Sequence, residues 1–398
     1  MNILPLIGLI LGFITLLVLL TFKVELGITI FICSTIIGLF SMEINDYLMV
    51  ILDTSIDYYT LNLLAITLLI MILTSMYEKT GYINVLGRSL TNILKNDKVL
   101  ATVIPAILGL LPVAGGALMS APLIEHAGKR LKLSRDKIAF VNVWYRHVIF
   151  TVYPISQLLI MTSILSQVPI IVFVKNLLPL LVIMWVIGYV LALMHSKHHT
   201  NKDNDSSFSF NDIKPLLPII IPIILAVGIR LDIMLSILVG VVILIYLTRP
   251  TTLVLLNTLK DKRIYCVLFT VFSAMLMKNV IKESGLSLAI SKALTLFNLP
   301  DVIYIMGIVI PLGFFMGTPL GTIALAISIL SDIVTGNPRT ASLVYIVAFL
   351  SYLVSPTHLC LILTIKYYKA QTLKVYKYLI PAVAVTLLFA LLLYLFMW

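Results

Sequence analysis

The sequence predicts an all-α polytopic membrane protein: two inverted repeats of five transmembrane helices, each repeat containing a re-entrant helical hairpin. Three observations carry this. The chain is 61% hydrophobic and only 11% charged over 398 residues, and its apolar runs of roughly 18–25 residues match the thickness of a bilayer. A β-barrel would instead show short alternating segments. A glycine- and proline-broken apolar segment occurs twice, as GLLPVAGGALMSAP (Gly109–Pro122) and GFFMGTPLGTIALA (Gly313–Ala326). Further segments recur at nearly the same spacing.

Taken in order, the spans fall near residues 3–22, 24–41, 60–77, 137–165 and 168–194, then 214–229, 231–248, 263–281, 339–366 and 375–397. The run Ile3–Phe22 lacks a basic leader and a small-residue cleavage site, so it is expected to be a retained span. The stretch between the second and third spans carries Glu43, Asp46, Asp53 and Asp57 without Lys or Arg, and is expected to be an outward-facing loop. Placing the loop after the third span in the cytoplasm puts most of the 28 Lys and Arg residues on one side, as the positive-inside rule requires. Both termini then lie outside the plasma membrane. The net charge of +11 is thereby topological, and no nucleic-acid partner is expected.

The hydrophilic stretch KHHTNKDNDSSFSFND (Lys197–Asp212) divides the chain nearly in half. The expected units are 1–196, a cytoplasmic linker 197–213, and 214–398. In the first repeat, scaffold spans 1–81 precede a hairpin at about 98–130 and spans 137–194. In the second, scaffold spans 214–281 precede a hairpin at about 300–332 and spans 339–397. VYPISQLLIMT (Val152–Thr162) aligns with VSPTHLCLILT (Val354–Thr364) at an offset of 202, with five identities in eleven. EKTGYINVLGRSL (Glu78–Leu90) aligns more weakly with KESGLSLAISKAL (Lys282–Leu294), pairing Gly81 with Gly285. Five crossings per repeat turn the second copy upside down relative to the first. The segments near 82–96 and 285–298 fit short interfacial helices, with an ordinary loop as the alternative.

Irregular backbone at membrane depth persists only where protein buries it or it lines a polar cavity. Helix ends inside a hairpin present free N–H groups, which suit anions, and carbonyls, which suit Na⁺. Ala114, Gly115 and Gly116 at one tip, and Gly317, Pro319 and Gly321 at the other, allow close backbone approach. Ser120, Thr318 and Thr322 add hydroxyls. Small residues serving only tight helix packing are the alternative for the glycines, though not for the prolines between them.

Pro154 and Pro356 occupy equivalent positions near the middle of the spans that follow the hairpins. Each frees a backbone carbonyl, beside Ser156 and Gln157 in one half and Thr357 and His358 in the other. A simple kink is the alternative. Arg146 and His147 lie in VNVWYRHVIF, with Arg146 about nine residues into its span, or ~13 Å deep. Arginine there costs ~3 kcal/mol or more unless paired or hydrated. Its repeat mate is Ala348, and its own span offers no acid to neutralise it. It could grip an anion through paired hydrogen bonds, or instead snorkel or cap helix carbonyls. Cys33, Cys266 and Cys360 are far apart in apolar stretches, which argues against a disulfide framework or a spacing-based metal site. The His198–His199 pair reads as part of a solvated loop.

GLLPVAGGALMSAP, the VWYRH segment and SPTHLCLILT followed by Tyr367 and Lys369 resemble an uncharacterised integral membrane family, domain-of-unknown-function family 401. The resemblance extends over most of the chain. That family is similar to the ion transporter superfamily, which includes gluconate permeases, citrate and divalent-anion/sodium symporters, and arsenite permeases. The resemblance implies opposed re-entrant hairpins, a homodimer and elevator-type alternating access. Divalent-anion symporters carry Ser-Asn-Thr at their hairpin tips. Here the tips read Val-Ala-Gly-Gly and Gly-Thr-Pro-Leu-Gly, so dicarboxylate specificity does not carry over.

The expected function is secondary active transport of a small organic anion, coupled to Na⁺ or H⁺, with no cofactor or resident metal. A cation/proton antiporter is the nearest rival, but its usual membrane-embedded carboxylates are missing: Asp53, Asp57, Glu283 and Asp332 fall near span ends. An intramembrane enzyme is the more distant rival, because no HExxH pair, GxSxG elbow or aspartate dyad is present.

Overall fold

The computed structural model describes residues 4–111, 116–196, 209–286 and 299–398. These are mostly helical, and no strand occurs among the described residues. The first half comprises α1 (Leu4–Thr21), α2 (Leu26–Ser41), α3 (Ile44–Ile56), α4 (Tyr58–Lys79), α5 (Tyr82–Ile93), α6 (Asp97–Gly109), α7 (Ala117–Arg130), α8 (Arg135–Val148), α9 (Gln157–Ser166) and α10 (Ile170–Gly188). The second comprises α11 (Leu217–Ile223), α12 (Ile233–Thr248), α13 (Thr252–Leu259), α14 (Lys262–Glu283), α15 (Asp301–Met316), α16 (Pro319–Ile329), α17 (Ser331–Val334), α18 (Pro338–Leu353), α19 (Leu359–Tyr368) and α20 (Thr372–Phe396).

Six helical segments among the described residues are long and apolar enough to cross a membrane: Leu4–Thr21, Tyr58–Lys79, Ile170–Leu193, Phe210–Gly228, Thr252–Glu283 and Thr372–Phe396. The expected spans near 137–165 and 339–366 are each two helices, α8 with α9 and α18 with α19. Their breaks enclose Pro154 and Pro356. Proline cannot donate to the helical ladder, and it disfavours helical backbone in the residue before it. Ser156 then caps α9 by accepting from the Leu159 N–H at 3.1 Å, so the break is a real helix end.

The stretch with Glu43, Asp46, Asp53 and Asp57 is not a loop. It forms α3, which buries Tyr47, Val50 and Thr54 while Ile44, Leu48, Met49, Leu52 and Ile56 stay exposed. An apolar stripe bordered by acids is the signature of an interfacial helix. The 13 residues of α3 are too short and too charged for a hydropathy average to detect. α5 is a helix where a short helix was expected near 82–96, whereas most of its counterpart near 285–298 lies outside the described residues. So do most of the linker, His198 and His199.

Both broken segments fold back on themselves. α6 packs on α7, and α15 packs on α16. Their arms contain 13, 14, 16 and 11 residues, or ~16–24 Å of helix, against a hydrocarbon core of ~30 Å. Each arm is shorter than the ~20 residues of a usual spanning helix. Arg130, the last residue of α7, clasps Asp97, the first of α6. Its Nε donates to both carboxylate oxygens at 3.0 and 2.9 Å, and its Nη2 donates to Oδ1 at 2.5 Å.

Helix partners swap when the halves are exchanged. α2 packs on α14 and α12 on α4; α6 packs on α8 and α15 on α18. Across the halves, α7 packs on α19 and α16 on α9. The backbone repeats as well: Gly81 and Gly285 both end their helices at left-handed φ, +68° and +67°, as do Gln167 and Lys369 at +57° and +51°. Gly109 lies so close to α8 that a Cβ there would strike the Arg146 carbonyl oxygen, and Gly313 is equally tight against Ser351. The outer faces remain apolar, and small residues let neighbouring helices approach closely: Gly8 and Gly12 of α1 lie against Phe40, Ile37 and Cys33 of α2.

Candidate functional site

Where the breaks and the hairpins meet, a cavity of about 290 Å³ opens. It is lined from α8 by Arg146 and His147 and from the first break by Tyr153, Ser156 and Gln157. The second hairpin adds Thr318 and Pro319, and α18 and α19 add Tyr352 and Cys360. No carboxylate lines it among the described residues.

α8 sorts its side chains by neighbour. Trp144 Nε1 donates to the Met184 carbonyl at 2.8 Å, and the Tyr145 hydroxyl to that of Trp185 at 3.0 Å, tying α8 to α10. Gly188 makes room, since a Cβ there would press on the Trp144 ring. With that face anchored, the next two residues point the other way, into the cavity. Arg146 is 3% exposed. Its Nη2 donates to the Leu111 carbonyl at 3.3 Å, the thiol of Cys360 adjoins the guanidinium, and Nη1 has no partner among the described residues. A buried cation with an unsatisfied donor is costly unless something anionic meets it.

Beside it, the rings of His147 and His358 stand edge to face with centroids 4.8 Å apart. Both Nδ1 atoms face backbone carbonyls, Val143 O at 2.6 Å and Leu353 O at 3.3 Å. A carbonyl only accepts, so each Nδ1 carries the proton and each neutral ring keeps a lone pair on Nε2. His358 is fully buried, and its Nε2 has no partner among the described residues. The Nε2 of Gln157 is likewise unpartnered.

The residues expected from sequence divide into those that meet here and those that do not. Arg146, His147, Ser156, Gln157, Thr318 and Pro319 line the cavity, and His358 packs directly behind it. Thr322 is buried within α16 and donates to the Thr318 carbonyl at 2.8 Å. Ser120 donates to Asn142 Oδ1 at 2.6 Å, and Asn142 Nδ2 donates in turn to Ala117 O at 2.9 Å and Thr364 Oγ1 at 3.3 Å. That network fastens α7 to α8 and α19, away from the cavity. Thr357 is exposed and bonds Ser355 at 2.8 Å, while Ser355 donates to Phe314 O at 2.6 Å. Gly317 is left-handed at φ +60°, and a Cβ there would collide with Thr357 Oγ1. Gly321 packs against Met316 and Leu26. Pro154 borders a different pocket, with Lys175 and Arg230, and Pro356 is exposed. Gly116 is buried at the start of α7; Ala114 and Gly115 lie outside the described residues.

Sequence reasoning missed Tyr153, Tyr352, Cys360 and Asn142. Cys360 stands four residues after Pro356 in a segment already singled out, so the signal was its position and not its type.

The chain belongs to the protein family of unknown function DUF401, whose family model matches residues 6–397. No curated protein matches the sequence. The fold is similar to that of the YdaH transporter of Alcanivorax borkumensis, a structure described as revealing an unusual topology. The TM-score is 0.65 at 11% identity, covering 96% of this chain and 98% of that one.

Proposed function

We propose that this DUF401 member is a secondary active transporter that moves a small organic anion across the plasma membrane, coupled to Na⁺ or H⁺. The observation that carries the reading is Arg146: a buried guanidinium with a free Nη1 on the wall of a cavity whose described lining contains no acid. An anion is the chemistry that completes it. The cavity lies at the lower end of the range for ligand sites, which suits a small solute. The structural relative named as a transporter supports the class, and neither the site nor the sequence offers a catalytic constellation.

The two halves, 1–196 and 214–398, are inverted repeats in this reading, and both folded-back segments are re-entrant. α1, α2, α4, α11, α12 and α14 form a scaffold carrying a homodimer contact. The hairpins cross over onto the other half's broken helices, so they and α8–α10 and α18–α20 travel together as the elevator. The hairpin tips and the Pro154 and Pro356 breaks hold the coupling ion.

The test is uptake of a panel of organic anions by proteoliposomes, with Na⁺ or pH gradients applied separately. Arg146→Ala abolishes uptake at normal expression and melting behaviour, and Arg146→Lys retains a fraction because it keeps charge without the fork. Unchanged kinetics in Arg146→Ala would remove the arginine from the mechanism. Failure of every anion under both gradients would remove the proposal.

A further inference from the structure

On the wall of the same cavity, beside Arg146, the broken helices bring together a second set of side chains whose chemistry suits a cation. His147, His358 and Cys360 each offer one donor atom, and these atoms lie within 4.8 Å of one another. We propose that this trio is a binding site for a soft, imidazole- and thiolate-loving divalent cation, with Zn²⁺ its natural probe.

The tautomers are already set for it. The Val143 and Leu353 carbonyls hold the protons on Nδ1, which leaves Nε2 as the free lone pair of each neutral ring. His358 supplies an independent sign of a missing ligand, because its Nε2 is fully buried and unpartnered among the described residues. The third donor is a thiol on the cavity wall, so the trio adjoins open space. Two imidazoles and one sulfur are a preferred zinc set, leaving the fourth position open toward the cavity for water. Tetrahedral ligands at 2.0–2.3 Å from Zn²⁺ lie ~3.3–3.8 Å apart, so any pair near the 4.8 Å limit closes in on binding.

The charge balance includes the neighbour. Cys360 releases its thiol proton to water as the sulfur–metal bond forms, and both imidazoles bind neutral, so proton release accompanies binding. Arg146 adjoins the sulfur, so the metal-bound thiolate would screen the dication from the guanidinium. His147 comes from the first half and His358 and Cys360 from the second, so the ion would pin the two breaks together. Sequence spacing could not have indicated this site, since His147 and His358 lie 211 positions apart.

The experiment titrates Co²⁺ and Zn²⁺ into detergent-purified, chelator-treated protein, with no anion and no gradient. One equivalent of Co²⁺ is expected to give the visible bands of a tetrahedral ion and a near-ultraviolet sulfur-to-cobalt band, both displaced by Zn²⁺. Cys360→Ser, nearly isosteric, removes the ultraviolet band and weakens Zn²⁺ more than tenfold. His358→Ala weakens it at least as much, and substituting His198 and His199 in the linker changes nothing. Absence of tetrahedral Co²⁺, or full retention of binding and band in Cys360→Ser, would overturn the proposal. Because metal is read directly, a protein that binds Zn²⁺ yet moves no anion would sink the transport reading and leave this one standing.

Discussion

The Asp97–Arg130 clasp makes an asymmetric prediction. Asp97 is 1% exposed in its side chain, whereas Arg130 is 37% exposed. Removing one partner of a buried ion pair costs ~3–5 kcal/mol because the other charge is left stranded. That argument applies in full to Arg130→Ala, which abandons a buried carboxylate that had accepted three charge-assisted hydrogen bonds. It applies weakly to Asp97→Ala, since the guanidinium can turn to water. Arg130→Ala is therefore expected to cost ~3 kcal/mol or more, and Asp97→Ala ~1–2 kcal/mol. The double variant should cost less than Arg130→Ala alone, because no charge remains stranded. Reversible unfolding in mixed micelles measures all three. The reverse order, or strict additivity, would refute the claim that Asp97 is sealed within the first hairpin.

Gly109→Ala gains about 1 kcal/mol of helix propensity, yet it drives a methyl into the Arg146 carbonyl oxygen. It is expected to destabilise by ~1–3 kcal/mol of overpacking, and Gly109→Ser by at least as much; a rise in melting temperature would contradict the close approach of α6 to α8. Gly317→Ala must hold an alanine at φ +60° against Thr357, and a loss of ~1–2 kcal/mol or more is expected from the left-handed backbone alone. A neutral result by the same unfolding assay would show the tip to be in another conformation. At the ends of α4 and α14, Arg263 reaches Glu78 and Asp261, and its hydrogen bonds hold the Asp261 carboxyl far below the usual range. A depressed folded pKa stabilises above the unfolded value of about 3.9 and loses that contribution as pH falls through the folded one. Stability should thus hold from neutral pH to about 5 and decline only in stronger acid, by ~1 kcal/mol for a network whose Arg263 is largely exposed. Asp261→Asn should flatten that decline, and a fall already under way between pH 7 and 5 would exclude it as the cause.

Much of the architecture was legible because membrane burial is written in long apolar runs. Several of the expected spans coincide with long apolar helices to within a few residues, among them Leu4–Thr21 and Thr372–Phe396. Punctuation was equally readable: Pro154 and Pro356 break their helices, and Gly81 and Gly285 end theirs, since those residue types act on their own backbone. α3 escaped notice because a short amphipathic helix leaves little trace in average hydropathy.

The candidate site was legible by type but not by company. Arg146 declared itself through the cost of arginine at that depth. Nothing local could say that Leu111 would take one of its donors, that Cys360 would stand beside it, or that Ser120 would turn away toward Asn142. Residue identity and spacing determined the helices, their breaks and the presence of a misfit charge, because those depend on forces acting within one segment and against lipid. Only the crossing of each hairpin onto the opposite half decided which polar groups share a cavity. That packing joins residues some 200 positions apart, and which donor is left over depends on every neighbour at once.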